Sequence, residues 1–78
     1  MNDGKAIIAV VAETVRRARK TAGLSQEDLA LEAGLDRTYI SQVERKKRNV
    51  TIVVLAKIAR ALKTTPDRLL IPPRKSKG

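Results

Sequence analysis

The sequence predicts an all-α fold of five short helices packed as one compact domain. Three observations lead there. Apolar residues recur at helical spacing in successive segments, and none shows the alternation of a strand. Ser25, Asp36, Thr51 and Thr65 stand where helices would start, and Gly23 and Gly34 stand where two would stop. The length, 78 residues, bounds the chain to one small domain, near the lower limit for a core without a staple.

Residues 1–4 are a polar, disordered lead, and the folded domain is expected over residues 5–71. The first helix runs from Lys5 to Ala22. Ile8, Val11, Val15 and Ala18 form its inner stripe, while Arg16, Arg17 and Lys20 lie off it. Ser25 begins the second helix, and Asp28, three residues on, completes a capping box. Glu27 and Asp28 suit the positive helix end, which explains the pair more simply than a catalytic dyad does. Leu29, Ala30 and Ala33 give this helix a small inner face.

Only Leu35 separates Gly34 from Asp36, the next N-cap, so two short helices meet at a very tight turn. That is the layout of a helix-turn-helix, here over about residues 25–45. Ala30 and Ala33 permit a close crossing, and Gly34 supplies a left-handed backbone. The third helix covers about Arg37 to Arg45. Ile40, Val43 and Glu44 share one side, with Tyr39 at its edge. Arg37, Thr38, Ser41, Gln42 and Arg45 share the other, which carries hydrogen bonders and cations but no carboxylate.

Lys46 to Val50 form a basic loop. Thr51 caps a fourth helix with Ile52, Leu55, Ile58, Ala59 and Leu62 as its stripe, and Val53 and Val54 off it. Thr65-Pro66-Asp67 opens a short fifth helix. Pro72-Pro73 close the fold, and residues 72–78 form a basic tail.

Lys and Arg number 17 against 8 Asp and Glu, a net charge of +9. Such an excess attracts polyanions. Tyr39 is the lone aromatic, so the stacking platforms of single-strand binders are poorly supplied. Cysteine and histidine are absent, which excludes disulfides and the common zinc sites. No nucleophile–base set and no glycine-rich phosphate loop is present, so no enzyme, metal or cofactor is expected. Ala6 to Ala12 is too short for a membrane span and lacks the flanks of a signal peptide. A soluble intracellular protein is the simplest expectation.

LSQEDLALEAGLDRTYISQVERKKRN followed by TIVVLAKIARAL resembles the lambda-repressor/Cro-like (Xre-type) helix-turn-helix regulators of prokaryotes. The likeness covers about residues 6–71 and rests on Ser25-Gln26, Leu29-Ala30, Gly34, Ile40, Val43 and Glu44 at fixed spacing. Within that family, LDRTYIS..ER..RN.T looks most like the controller proteins of restriction–modification systems.

The resemblance implies that the third helix lies in the major groove of double-stranded DNA. Arg37, Thr38 and Gln42 match base-reading positions, Gln42 by pairing with adenine N6 and N7. Gln26 matches a phosphate contact, and Tyr39, Ser41 and Arg45 add backbone contacts. Lys46, Lys47, Arg48 and Asn49 match the loop that grips the sugar–phosphate backbone. Each has a plainer alternative: Gln26 as a helix-start residue, Tyr39 as packing, the loop as a solvated charge run, and Arg37 paired with a carboxylate. Arg19 and Glu44 match a structural ion pair.

The family also implies a homodimer on a palindromic operator with half-sites about 10 bp apart. Val53, Val54, Ala61, Leu69, Leu70 and Ile71 are the apolar residues available to bury in it, although Leu69 and Leu70 can instead close the monomer. The length leaves no second domain for an inducer, so regulation through protein concentration is expected, without a small-molecule ligand. Glu27, Asp28 and Glu32 offer a surface for RNA polymerase. Localisation would be cytoplasmic, on the nucleoid when bound. An antitoxin that also covers a toxin partner is the alternative function, and a cationic membrane-surface peptide fits the capped helices poorly.

Overall fold

The computed structural model describes residues 3–72. Its helices are α1 (Asp3–Thr21), α2 (Gln26–Ala33), α3 (Arg37–Glu44), α4 (Ile52–Ala61) and α5 (Pro66–Leu69). No strand occurs among the described residues. α1 begins at Asp3 rather than Lys5, so residues 3 and 4 belong to the helix and not to a disordered lead. Residues 1–2 of the expected lead and residues 73–78 of the expected tail lie outside the described residues.

The caps explain most boundaries. Ser25 Oγ accepts from the Asp28 N–H at 3.0 Å, and the Asp28 carboxylate accepts from the Ser25 N–H at 3.2 Å, which completes the expected box. Thr51 caps α4 through the Val54 N–H at 3.1 Å. Asp36 and Thr65 hold their N-cap positions, yet neither side chain makes a capping bond. A hydrogen bond from Thr65 instead holds the Asp67 carboxyl below its ordinary range.

α1 to α4 all stop in one way. The backbone turns left-handed for one residue, and two N–H groups reach back to the last carbonyls. Gly23 and Gly34 make the first two turns, as expected. Lys46 (φ 63) and Lys63 (φ 61) make the other two. A side chain in that region costs about 1–2 kcal/mol.

α2 packs on α3 and α4, while α1 packs on α3 and α5. The core they enclose is built from Val15, Leu29, Ile40, Val43, Ile58 and Leu69, with smaller residues between. Thr14 is buried among them, and its Oγ1 lies 2.7 Å from the Leu69 carbonyl oxygen, tying α5 to α1.

Three expected placements need correction. Ile52, assigned to the inner stripe of α4, is 83% exposed. It has the right angular position, but it sits in the first turn, which overhangs the core. Val54, assigned off the stripe, packs against the core instead. Leu69, offered as a dimer residue, is 2% exposed and belongs to the monomer's own core.

Candidate nucleic-acid interface

Gly34 (φ 70) closes α2, and the Leu35 N–H reaches the Ala30 carbonyl at 2.8 Å. Buried Ala30 and Ala33 bring α2 close to α3. Burial of Ile40 and Val43 then fixes the rotation of α3. Arg37, Thr38 and Arg45 are left exposed, and Ser41 and Gln42 half-buried at the margin. Arg37 pairs with no carboxylate among the described residues, so its fork is available.

The far end of α3 is held by Glu44. Arg19 Nε donates to Glu44 Oε2 at 2.7 Å and Arg19 Nη2 donates to Oε1 at 3.0 Å. Arg19 Nη1 also donates to the Leu24 carbonyl at 2.9 Å. The carboxylate raises the guanidinium's pKa still further above its ordinary value, chiefly through that hydrogen bond. The expected ion pair is therefore present and bidentate. Gln26, expected at a phosphate, donates Nε2 to Glu44 Oε1 at 3.1 Å, which leaves its carbonyl oxygen free. One carboxylate thus ties together α1, the start of α2 and the end of α3.

Beyond Arg45 the loop carries Lys46, Lys47, Arg48 and Asn49, all exposed. The left-handed turn at Lys46 lets the Lys47 N–H return to the Gln42 carbonyl at 2.8 Å. The loop therefore folds back beside the outer face of α3. Arg48 Nε and Nη2 both donate to Gln42 Oε1, at 3.1 and 2.8 Å, and the guanidinium lies 4.4 Å from the centroid of the Tyr39 ring. The sequence reading sent these three residues separately to DNA and missed that they touch each other. Only the spacing of 42 and 48 around a helix end could have hinted at it.

This geometry offers a ridge of donors and cations that no described carboxylate neutralises. A helix-turn-helix family profile matches residues 15–69, from the middle of α1 through α5. The chain belongs to the helix-turn-helix family. It is 52% identical over 61 residues to the control protein C.SmaI of Serratia marcescens, covering 78% of this chain and 73% of that one. A hypothetical transcription factor from Neisseria has a similar structure, with TM-score 0.85 and 45% identity over 91% of this chain and 82% of its own. The restriction–modification controller protein C.Esp1396I, solved as a tetramer in complex with its natural 35 base-pair operator, gives TM-score 0.75 and 38% identity. That match covers 81% of this chain and 83% of C.Esp1396I.

In this helix-turn-helix domain the remaining apolar residues divide. Val53 is 65% exposed, and Leu70 and Ile71 are also exposed. Val54 and Ala61 are half-buried against the monomer's core. Ile7 and Ile52 are exposed as well, and both line a groove of about 170 Å³ with Val50, Leu55 and Leu70. Arg48 and Asn49 border that groove, so it adjoins the basic loop. Among the described residues no three His, Cys, Asp or Glu side chains gather to hold a metal, and no helix is long and apolar enough to cross a membrane.

Proposed function

We propose that this protein is a transcriptional regulator that binds a palindromic operator as a homodimer, with α3 in the major groove, and that it controls restriction–modification genes. The observation that carries the reading is the exposed, carboxylate-free face of α3, anchored at its end by the Arg19–Glu44 pair. Arg37, Thr38 and Gln42 read bases, and Ser41 and Arg45 border them. Gln26 on one side and Lys46, Lys47 and Asn49 on the other contact the phosphates. The similarity to controller proteins, one of them solved on its operator, supports this assignment.

Homodimer formation uses the apolar patch of Ile7, Ile52, Val53, Leu70 and Ile71, with Val54 and Ala61 at its margin. Its position next to the basic loop keeps two copies on one face of the duplex. Glu27, Asp28 and Glu32, exposed around Leu31 on α2, form the surface on which polymerase contact would occur. The protein acts by binding rather than catalysis, in the cytoplasm.

Selection from a random duplex library at physiological salt tests the reading. Enrichment of a palindrome with half-sites about one helical turn apart is expected, and its match upstream of restriction–modification genes in the source genome would follow. Salt-sensitive binding with no enriched sequence would refute it.

A further inference from the structure

We infer that Arg48 is a positioning residue that makes Gln42 a donor-only reader, selective for guanine rather than adenine. The inference rests on the operator reading above and concerns one base position within it.

A glutamine amide offers one oxygen with two lone pairs and one nitrogen with two hydrogens. Pairing with adenine needs both: Nε2–H donates to N7, and Oε1 accepts from N6. Here Oε1 already accepts Arg48 Nε at 3.1 Å and Nη2 at 2.8 Å. One edge of the guanidinium closes on a single oxygen and engages it with two charged donors from one side. The amide orientation is forced as well. Arginine carries donors only, so the face of Gln42 turned to Arg48 must be its oxygen. The nitrogen is then the end left for the groove.

Arg48 does not rest on Gln42 alone. Its guanidinium stacks 4.4 Å from the Tyr39 centroid, and Tyr39 is half-buried against the core. The chain of contact runs from core to Tyr39, to Arg48, to Gln42. The left-handed turn at Lys46 brings the loop back far enough to make it.

Presented this way, Gln42 offers its N–H donors to the groove, while its oxygen is held by the cation. Guanine carries two neighbouring acceptors in the major groove, N7 and O6. Adenine carries one acceptor beside a donor that would have to compete with Arg48 for Oε1. Guanine is therefore preferred, and Arg48 sets the preference without touching the base.

The test is selection from a random-sequence duplex library with the wild-type protein and three variants. Q42A identifies the position, because that position alone should lose its preference. In the wild type it should be guanine, favoured about fivefold or more. R48M removes the donors that close Oε1 and should move the same position toward adenine. R48K keeps a positive charge near the phosphates but has no planar fork, and should move it in the same direction. Circular dichroism melts show that each variant is folded, and R48K serves if R48M is not. Adenine at the Gln42-dependent position in the wild type overturns the inference. So does guanine retained in both Arg48 variants, or a Q42A selection that relaxes no position. A wild-type selection without any motif overturns the operator reading itself, and the inference with it.

Discussion

Replacing Arg19 by methionine should cost far more than replacing its partner, and replacing both should cost least. The two side chains are 11% and 4% exposed, with Glu44 the more deeply placed. In R19M, Glu44 keeps only the Gln26 amide as a donor. A buried carboxylate stripped of its cation costs about 3–5 kcal/mol. A chain of 78 residues holds roughly 4–12 kcal/mol in all, so R19M should stand near the edge of folding. In E44M, Arg19 still donates to the Leu24 carbonyl and has more access to water. Its loss is that of charged hydrogen bonds, about 1.5–3 kcal/mol. The double variant leaves no stranded charge and should lie within about 1 kcal/mol of the wild type, because two methionines fill similar space without desolvation. Urea unfolding followed by circular dichroism, at one fixed protein concentration, measures all four proteins. The coupling energy should exceed about 2 kcal/mol. Additive losses in the double variant would show that the pair is a surface contact of little consequence and that α3 is anchored by packing alone.

Three further outcomes are expected. K46G should relieve the left-handed strain and raise the melting temperature by roughly 4–8 °C, about 1 kcal/mol in a domain of this size. It should also weaken DNA binding for every sequence and flatten the salt dependence by about one phosphate; unchanged affinity would remove Lys46 from the interface. V53D should abolish the dimer in sedimentation while preserving helicity, since Val53 is 65% exposed in the monomer; a persisting dimer would move the contact elsewhere. The lowered pKa of Asp67 gives α5 stability that is present above the ordinary carboxylate range and is lost as pH falls through the folded value. T65A should shift the acid unfolding midpoint upward, and an unshifted acid melt would contradict this.

The parts of the fold that were legible are those set by local chemistry. Ser25 with Asp28, Thr51 before α4, and Gly34 between α2 and α3 all follow from what a helix end requires. The Arg19–Glu44 pair was reached by resemblance, and its third partner, Gln26, was not foreseen. What stayed hidden depends on contacts distant in sequence or on non-preferred conformations. Thr14 gains its role only because α5 returns to it 55 residues later. Lys46 and Lys63 turn left-handed although lysine carries no such preference. Ile52 fits the helical period, but periodicity describes a direction and does not say where the core ends along the axis. That Gln42 places an amide on the outer side of α3 was legible, while the direction the amide faces required the position of Arg48.

The charge asymmetry has a structural origin. Of the seven acidic residues from Glu13 onward, Glu27, Asp28, Asp36 and Asp67 stand at helix starts, where the backbone field favours a negative charge. Glu44 is consumed by Arg19 and Gln26. Only Glu13 and Glu32 remain on open surface away from these duties, and they belong to α1 and α2. The outer face of α3 and the loop after it therefore meet no carboxylate of their own. The net charge of +9 is not spread evenly: the acids are committed to folding, and uncompensated cations collect on the outer face of α3 and its loop. It follows that adding one carboxylate on that face, as in S41E, should reduce DNA affinity far more than adding one at exposed Ala56 on α4, as in A56E, although both lower the net charge by one. Filter-binding titrations at two salt concentrations separate the cases. Equal losses would mean that overall charge, and not its placement, governs the affinity.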